Sequence, residues 1–147
     1  MKKIILFLII NILIVGGVHS EEDKNIIIIT HQKSPIDNKI SSDTLKDIFT
    51  GKIKYITKIK LLPANMKEKE LYETFLKKYI SMSPTAYKNY WVKKVFAEGG
   101  NAPKIVEDND VMIKYITENP GAVGYIWEKS LDKKNENIKQ IEIYKEK

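Results

Sequence analysis

The chain has 147 residues, 43% hydrophobic and 30% charged, a make-up that fits one globular domain and excludes a disordered chain. It has no Cys, which excludes disulfides, thiolate metal sites and Cys nucleophiles. Every basic residue is Lys, so no guanidinium fork is available for a carboxylate or phosphate. The net charge of +6 includes Lys2 and Lys3 of a leader segment, and so small a surplus does not argue for nucleic acid.

Residues 1–20 read MKKIILFLIINILIVGGVHS. Two lysines precede an apolar run from Ile4 to Val15, and small residues follow at Gly16, Gly17 and Ser20. This is the pattern of a secretory signal. The run falls short of the roughly 20 apolar residues of a membrane span. Cleavage after Ser20 is expected, with an uncleaved anchor as the alternative. Residues 21–147 then form one domain outside the cytoplasm, periplasmic or secreted, with no further membrane span.

Asn25 to Thr30, NIIIIT, predicts a buried central strand covered on both faces. A loop follows to Lys39. Ser41-Ser42-Asp43 opens a short helix with Leu45, Ile48 and Phe49 on its apolar face and Gly51 as its left-handed stop. Ile59 to Leu62 predicts a second strand ended by Pro63. The spacing of Leu71, Phe75 and Tyr79 predicts a helix over Met66 to Ile80. Ser83 caps the next helix, with Pro84 at its first position and Tyr87, Tyr90, Trp91 and Val95 inward. Gly99-Gly100 breaks the chain and Pro103 keeps it extended. Asp108 or Asn109 caps a further helix, and Asn119-Pro120-Gly121 stops it. Strands are expected over Ala122–Trp127 and Ile138–Tyr144, the latter alternating Ile141 and Ile143 with polar residues. The order argues for a small α/β unit, a mixed sheet covered by helices.

Catalytic and metal patterns are sparse. Beyond the leader there is one His, His31, and no HExxH, GxSxG or phosphate-loop pattern. Ser83 reads as a cap rather than a nucleophile. Glu68, Glu70 and Glu73 read as dipole compensation, and Glu107, Asp108 and Asp110 lack the calcium-loop register. Lys88, Lys93 and Lys94 beside Tyr87, Tyr90 and Trp91 read as a solvated face over a core stripe, not a nucleic-acid patch. No enzyme activity, cofactor or metal is expected.

Four stretches carry a family likeness. Leu45 to Ile53, LKDIFTGKI, resembles the L-x-x-I-F-x-G-K-I stretch of phosphate ABC-transporter substrate-binding proteins. Phe75, then Ser83-Pro84, Trp91, Phe96 and Pro103 follow in that family's order, as do Val111 and Ile116. Asn119 to Tyr125, NPGAVGY, is similar to its N-P-G-A-I-G-Y stretch. The likeness is greatest to the short, single-domain, exported members.

The resemblance implies a single small lobe of the type II periplasmic-binding-protein-like fold. It also implies an exported solute-binding-like protein that takes phosphate or another small oxyanion, with a membrane transporter or other envelope protein as partner. Counting back from Phe75, the family's phosphate-binding Arg falls on Asn65 and its Asp on Lys67. Its Ser-Gly-Thr group falls on Lys69-Glu70-Leu71, so none of these residues is kept. A weaker anion site remains available at the expected helix start, where free amides meet Asn65, Lys67 and Lys69, opposed by Glu68 and Glu70. An ordinary surface helix start is the plain alternative. A structural or protein-interaction module that keeps the fold without a ligand is the rival function.

Overall fold

The computed structural model describes residues 24–146. The signal segment expected over residues 1–20 lies outside the described residues. β1 (Ile26–His31), β2 (Lys39–Ser41) and α1 (Ser42–Phe49) are followed by a small hairpin, β3 (Tyr55–Ile56) and β4 (Ile59–Lys60). β5 (Leu62–Met66) leads to α2 (Lys69–Phe75), which continues as a π-helical turn over Leu76–Ile80. Then come α3 (Pro84–Glu98), β6 (Lys104–Val106), α4 (Asn109–Glu118), β7 (Ala122–Trp127) and β8 (Ile138–Tyr144).

Six strands form one mixed sheet in the order β2-β8-β1-β7-β5-β6. β1 runs antiparallel to both β7 and β8, with Ile28 opposite Tyr125 on one side and Ile141 on the other. The remaining pairs, β2 with β8 and β5 with β6 and β7, are parallel. The isoleucine run of β1 is buried along Ile26–Ile29 because helices cover both faces of the sheet.

Side-chain alternation along β7 shows the two layers. Gly124 lies under α4, so close that an added Cβ would come within 2.3 Å of the Met112 sulfur. Tyr125 points the other way and stacks on Phe75, with ring centroids 3.7 Å apart, while Phe49 tilts against both rings. These three aromatics weld α1 and α2 to the sheet.

α3 docks on the carboxyl end of α1 by an exchange of polar groups. Tyr87 Oη donates to the Phe49 carbonyl at 2.6 Å and Tyr90 Oη to the Thr50 carbonyl at 2.7 Å, satisfying helix-end acceptors that have no partner within α1. Gly51 takes a positive φ of 69° there, and a side chain on it would strike the Trp91 ring at 2.6 Å.

Most expected elements stand where the pattern put them. α1 starts at the Ser41 cap, α3 at the Ser83 cap with Pro84 first, and α4 at the Asp108 cap. Three expectations are corrected. The expected strand Ile59–Leu62 is split between β4 and β5, with Leu61 between them. Pro63 does not end a strand but lies inside β5. Leu62 donates toward Gly121 beside β7, so Pro63, lacking its N–H, faces the β6 side, where pairing begins only at Ala64. Finally, the long helix begins at Lys69 rather than Met66. Asn65 and Met66 instead pair with Ile105 and Val106 of β6, and Lys67 N–H donates to the Val106 carbonyl at 2.8 Å.

Candidate functional site: the end of β5 and the α3–β6 cleft

The segment expected to hold an anion is divided by the β5–α2 junction. Asn65, on the last turn of the strand ladder, is buried. Its Oδ1 accepts from Tyr125 Oη at 3.2 Å, and Tyr125 Oη accepts in turn from the Met66 N–H at 3.2 Å. Burial holds the Tyr125 phenol far above its ordinary range, so it stays protonated and can donate. Asn65 is thus tied to the core.

Lys67 is paired elsewhere. Its Nζ sits 2.9 Å and 3.2 Å from the two carboxylate oxygens of Glu107, just beyond β6. Lys69 is exposed, 4.0 Å from Glu73 one helical turn on. Lys24 pairs with Glu70 at 2.8 Å. The three expected residues therefore share a stretch of chain but do not converge on one point.

The first amides of α2 also have a resident acceptor. Glu68 is the helix cap: its Oε1 accepts from Glu70 N–H at 3.0 Å and its Oε2 from Leu71 N–H at 2.7 Å. A carboxylate supplied by the chain itself occupies the place where a free anion would meet the positive end of the helix.

Beside this junction, α2, α3 and β6 enclose an apolar cleft of about 880 Å³. Asn65, Tyr87 and the buried Trp91 line it; the Trp91 indole N–H is buried without a partner among the described residues. Burial pushes the Tyr87 phenol up to about 12. The rim is made by Val92, Phe96 and Ile105, which are 61%, 94% and 66% exposed. Lys88 is the one charged side chain in the lining.

Sequence reasoning placed Trp91 and Phe96 within a family pattern but did not find this surface. The signal was present: Val92 and Phe96 are four residues apart, on a face of α3 away from the buried Tyr87–Trp91 stripe. A helix with apolar residues on two faces has one face to spare.

No protein-family model matches the sequence, and no curated protein matches it. The fold does match solved structures. A Clostridium perfringens protein assigned as a phosphate ABC transporter substrate-binding protein, solved with bound phosphate, superposes with a TM-score of 0.62 at 16% identity, over 80% of this chain and 44% of its own. PstS from Borrelia burgdorferi gives 0.58 at 16% identity, over 80% and 46%. An ABC-type phosphate transport receptor from Vibrio cholerae gives 0.52 at 17%, over 83% and 47%. The chain has the α/β architecture of one lobe of the type II periplasmic-binding-protein-like fold, and it spans less than half the length of these structures. Among the described residues, no cluster of three His, Asp or Glu side chains is placed to hold a metal ion, and no helix is long and apolar enough to cross a membrane.

Proposed function

We propose that the chain is an exported, non-catalytic, solute-binding-like lobe that works as a protein-interaction module, and that its α3–β6 cleft receives a second copy of itself. The observation that carries this reading is the rim of the cleft. A Phe96 side chain 94% exposed stands next to an unfilled apolar hollow on the same face. A knob and a hole on one surface are self-complementary under a twofold axis. Only Lys88 is charged in the lining, so pairing two such faces opposes few like charges. β6 is also an outer strand of the sheet, with Ile105 exposed, and extends the same face with an open backbone edge.

The test is the sedimentation behaviour of the exported protein across concentration. A reversible dimer is expected, abolished by Phe96→Asp, with Phe96→Tyr retaining it. A wild-type protein that stays monomeric up to about 1 mM, where any residual affinity is too weak to be specific, overturns the reading.

A second reading is supported by the fold likeness to structures of phosphate-binding proteins, one with phosphate bound. In it, Asn65, Lys67 and Lys69 capture a small oxyanion such as phosphate for a membrane transporter or another envelope protein. The Glu68 cap and the Lys67–Glu107 pair weigh against it. Calorimetry with phosphate decides: a saturable heat lost in the Lys67→Gln/Lys69→Gln double variant favours oxyanion capture, and no heat favours the interaction module.

A further inference from the structure

A second cavity, of about 480 Å³, opens at the other end of β5. Leu62 and Pro63 from the start of that strand form part of its wall, and the Gly99-Gly100 turn forms part of its rim. Both glycines have positive φ, 71° and 83°, and an added Cβ on either would meet nothing within 4 Å, so the turn leaves the mouth open.

Four lysines line this cavity: Lys54, Lys60, Lys94 and Lys104. One carboxylate serves them. Glu98 lies 3.0 Å from Lys94 and 3.7 Å from Lys54. Lys60 and Lys104 have no carboxylate within 4 Å among the described residues, and Lys104 Nζ sits 5.0 Å over the Tyr115 ring. The Lys94 stem is largely covered, its side chain 13% exposed, and its ammonium is held by Glu98 and 5.9 Å over the Tyr90 ring. The rest of the lining is mainly apolar and includes three aromatic side chains, Trp91, Tyr55 and Tyr115.

We infer that this cavity binds a small organic anion that carries a dianionic head, phosphate- or sulfate-like, on a flat aromatic body. The cationic excess calls for more than one negative charge. The volume lies in the range of small-molecule sites and far exceeds what a bare tetrahedral oxyanion fills. Aromatic walls give a ring something to stack on. Lysines act here as point charges, which suits a compact head that needs no bidentate fork. The site is separate from the α2 start; it shares Trp91, Ala102 and Pro103 with the α3–β6 cleft, but none of its four lysines lines that cleft, and alternation along β6 sends Lys104 and Ile105 to opposite sides of the strand.

1-Naphthyl phosphate is the probe, followed by calorimetry and by intrinsic tryptophan fluorescence on the exported protein. Saturable, salt-weakened binding is expected. Lys60→Gln/Lys104→Gln weakens it about tenfold or more, while Glu98→Gln tightens it several-fold by releasing Lys54 and Lys94. Lys60 and Lys104 are exposed, so these variants keep the wild-type melting temperature. Lys67→Gln/Lys69→Gln and Phe96→Asp leave binding unchanged. The inference is overturned by absence of binding, by equal binding of inorganic phosphate or 1-naphthol, or by binding that the Lys60/Lys104 pair does not affect.

Discussion

The two ends of β5 carry similar residues and behave in opposite ways. At its carboxyl end the chain passes from Asn65 into Lys67 and Lys69, and each cation there has a carboxylate within 4.0 Å: Glu107 for Lys67 and Glu73 for Lys69. The helix amides are taken by Glu68. At the amino end, four lysines surround a cavity with Glu98 alone between them. Lysine content therefore does not define an anion site. What matters is how many local carboxylates and acceptors already neutralise it, and whether a hollow remains to admit a ligand.

The most disruptive way to break this contrast is to open the carboxyl end from beneath. Tyr125→Phe removes the hydroxyl that joins Met66 N–H to Asn65 Oδ1 and leaves both buried groups without that partner. A loss of about 2 kcal/mol is expected in chemical denaturation, the usual cost of orphaned buried polar groups. The Phe75 stack should survive, since the ring stays. A loss indistinguishable from zero would mean that water or a shifted side chain fills the role.

Next in size is the cap. Glu68→Ala frees the Glu70 and Leu71 amides and removes the carboxylate from the dipole's positive end, at a cost of about 1 kcal/mol. The same variant sharpens the contrast: added phosphate should raise its melting temperature and leave the wild type unmoved. A phosphate response equal in both proteins would show that Glu68 does not exclude anions. Smaller again is Lys67→Gln. Its pair with Glu107 is exposed on both sides, so the expected change is at most about 0.5 kcal/mol.

The sequence disclosed the parts whose signals are local. The Ser41 cap, the Leu45-Ile48-Phe49 stripe and Gly51 lie within eleven residues, and α1 follows from them. β1 and β8 are legible for the same reason, as runs whose patterning is complete within the strand. The start of α2 was not. Nothing in NMKEKE marks a strand, and Met66 is held extended by Val106 and by Tyr125, 40 and 59 residues away. Its cap is a Glu, a residue outside the usual Ser, Thr, Asp and Asn set. The fold class does not depend on this boundary because it rests on many elements, whereas the expected anion site was read from that one boundary. Neither cavity was legible, since each is assembled from segments far apart in the chain, Ile48 to Tyr115 in the lysine-lined case.

The smallest effect tests the charge balance of that cavity directly. Lys94, with a lesser contribution from Lys54, holds the Glu98 carboxyl below its ordinary value of 4.5. The folded protein therefore binds its proton less readily than the unfolded chain. The favourable contribution is present above about pH 4.5 and disappears as pH falls through the lowered folded value. Glu98 is exposed, so the gain is slight and salt-sensitive. Wild type should melt marginally above Glu98→Gln at neutral pH and low salt, and the two curves should meet in acid. Should the gap instead widen in acid, the carboxylate would be destabilised by its surroundings, and the cavity could not hold the cationic excess on which ligand binding depends.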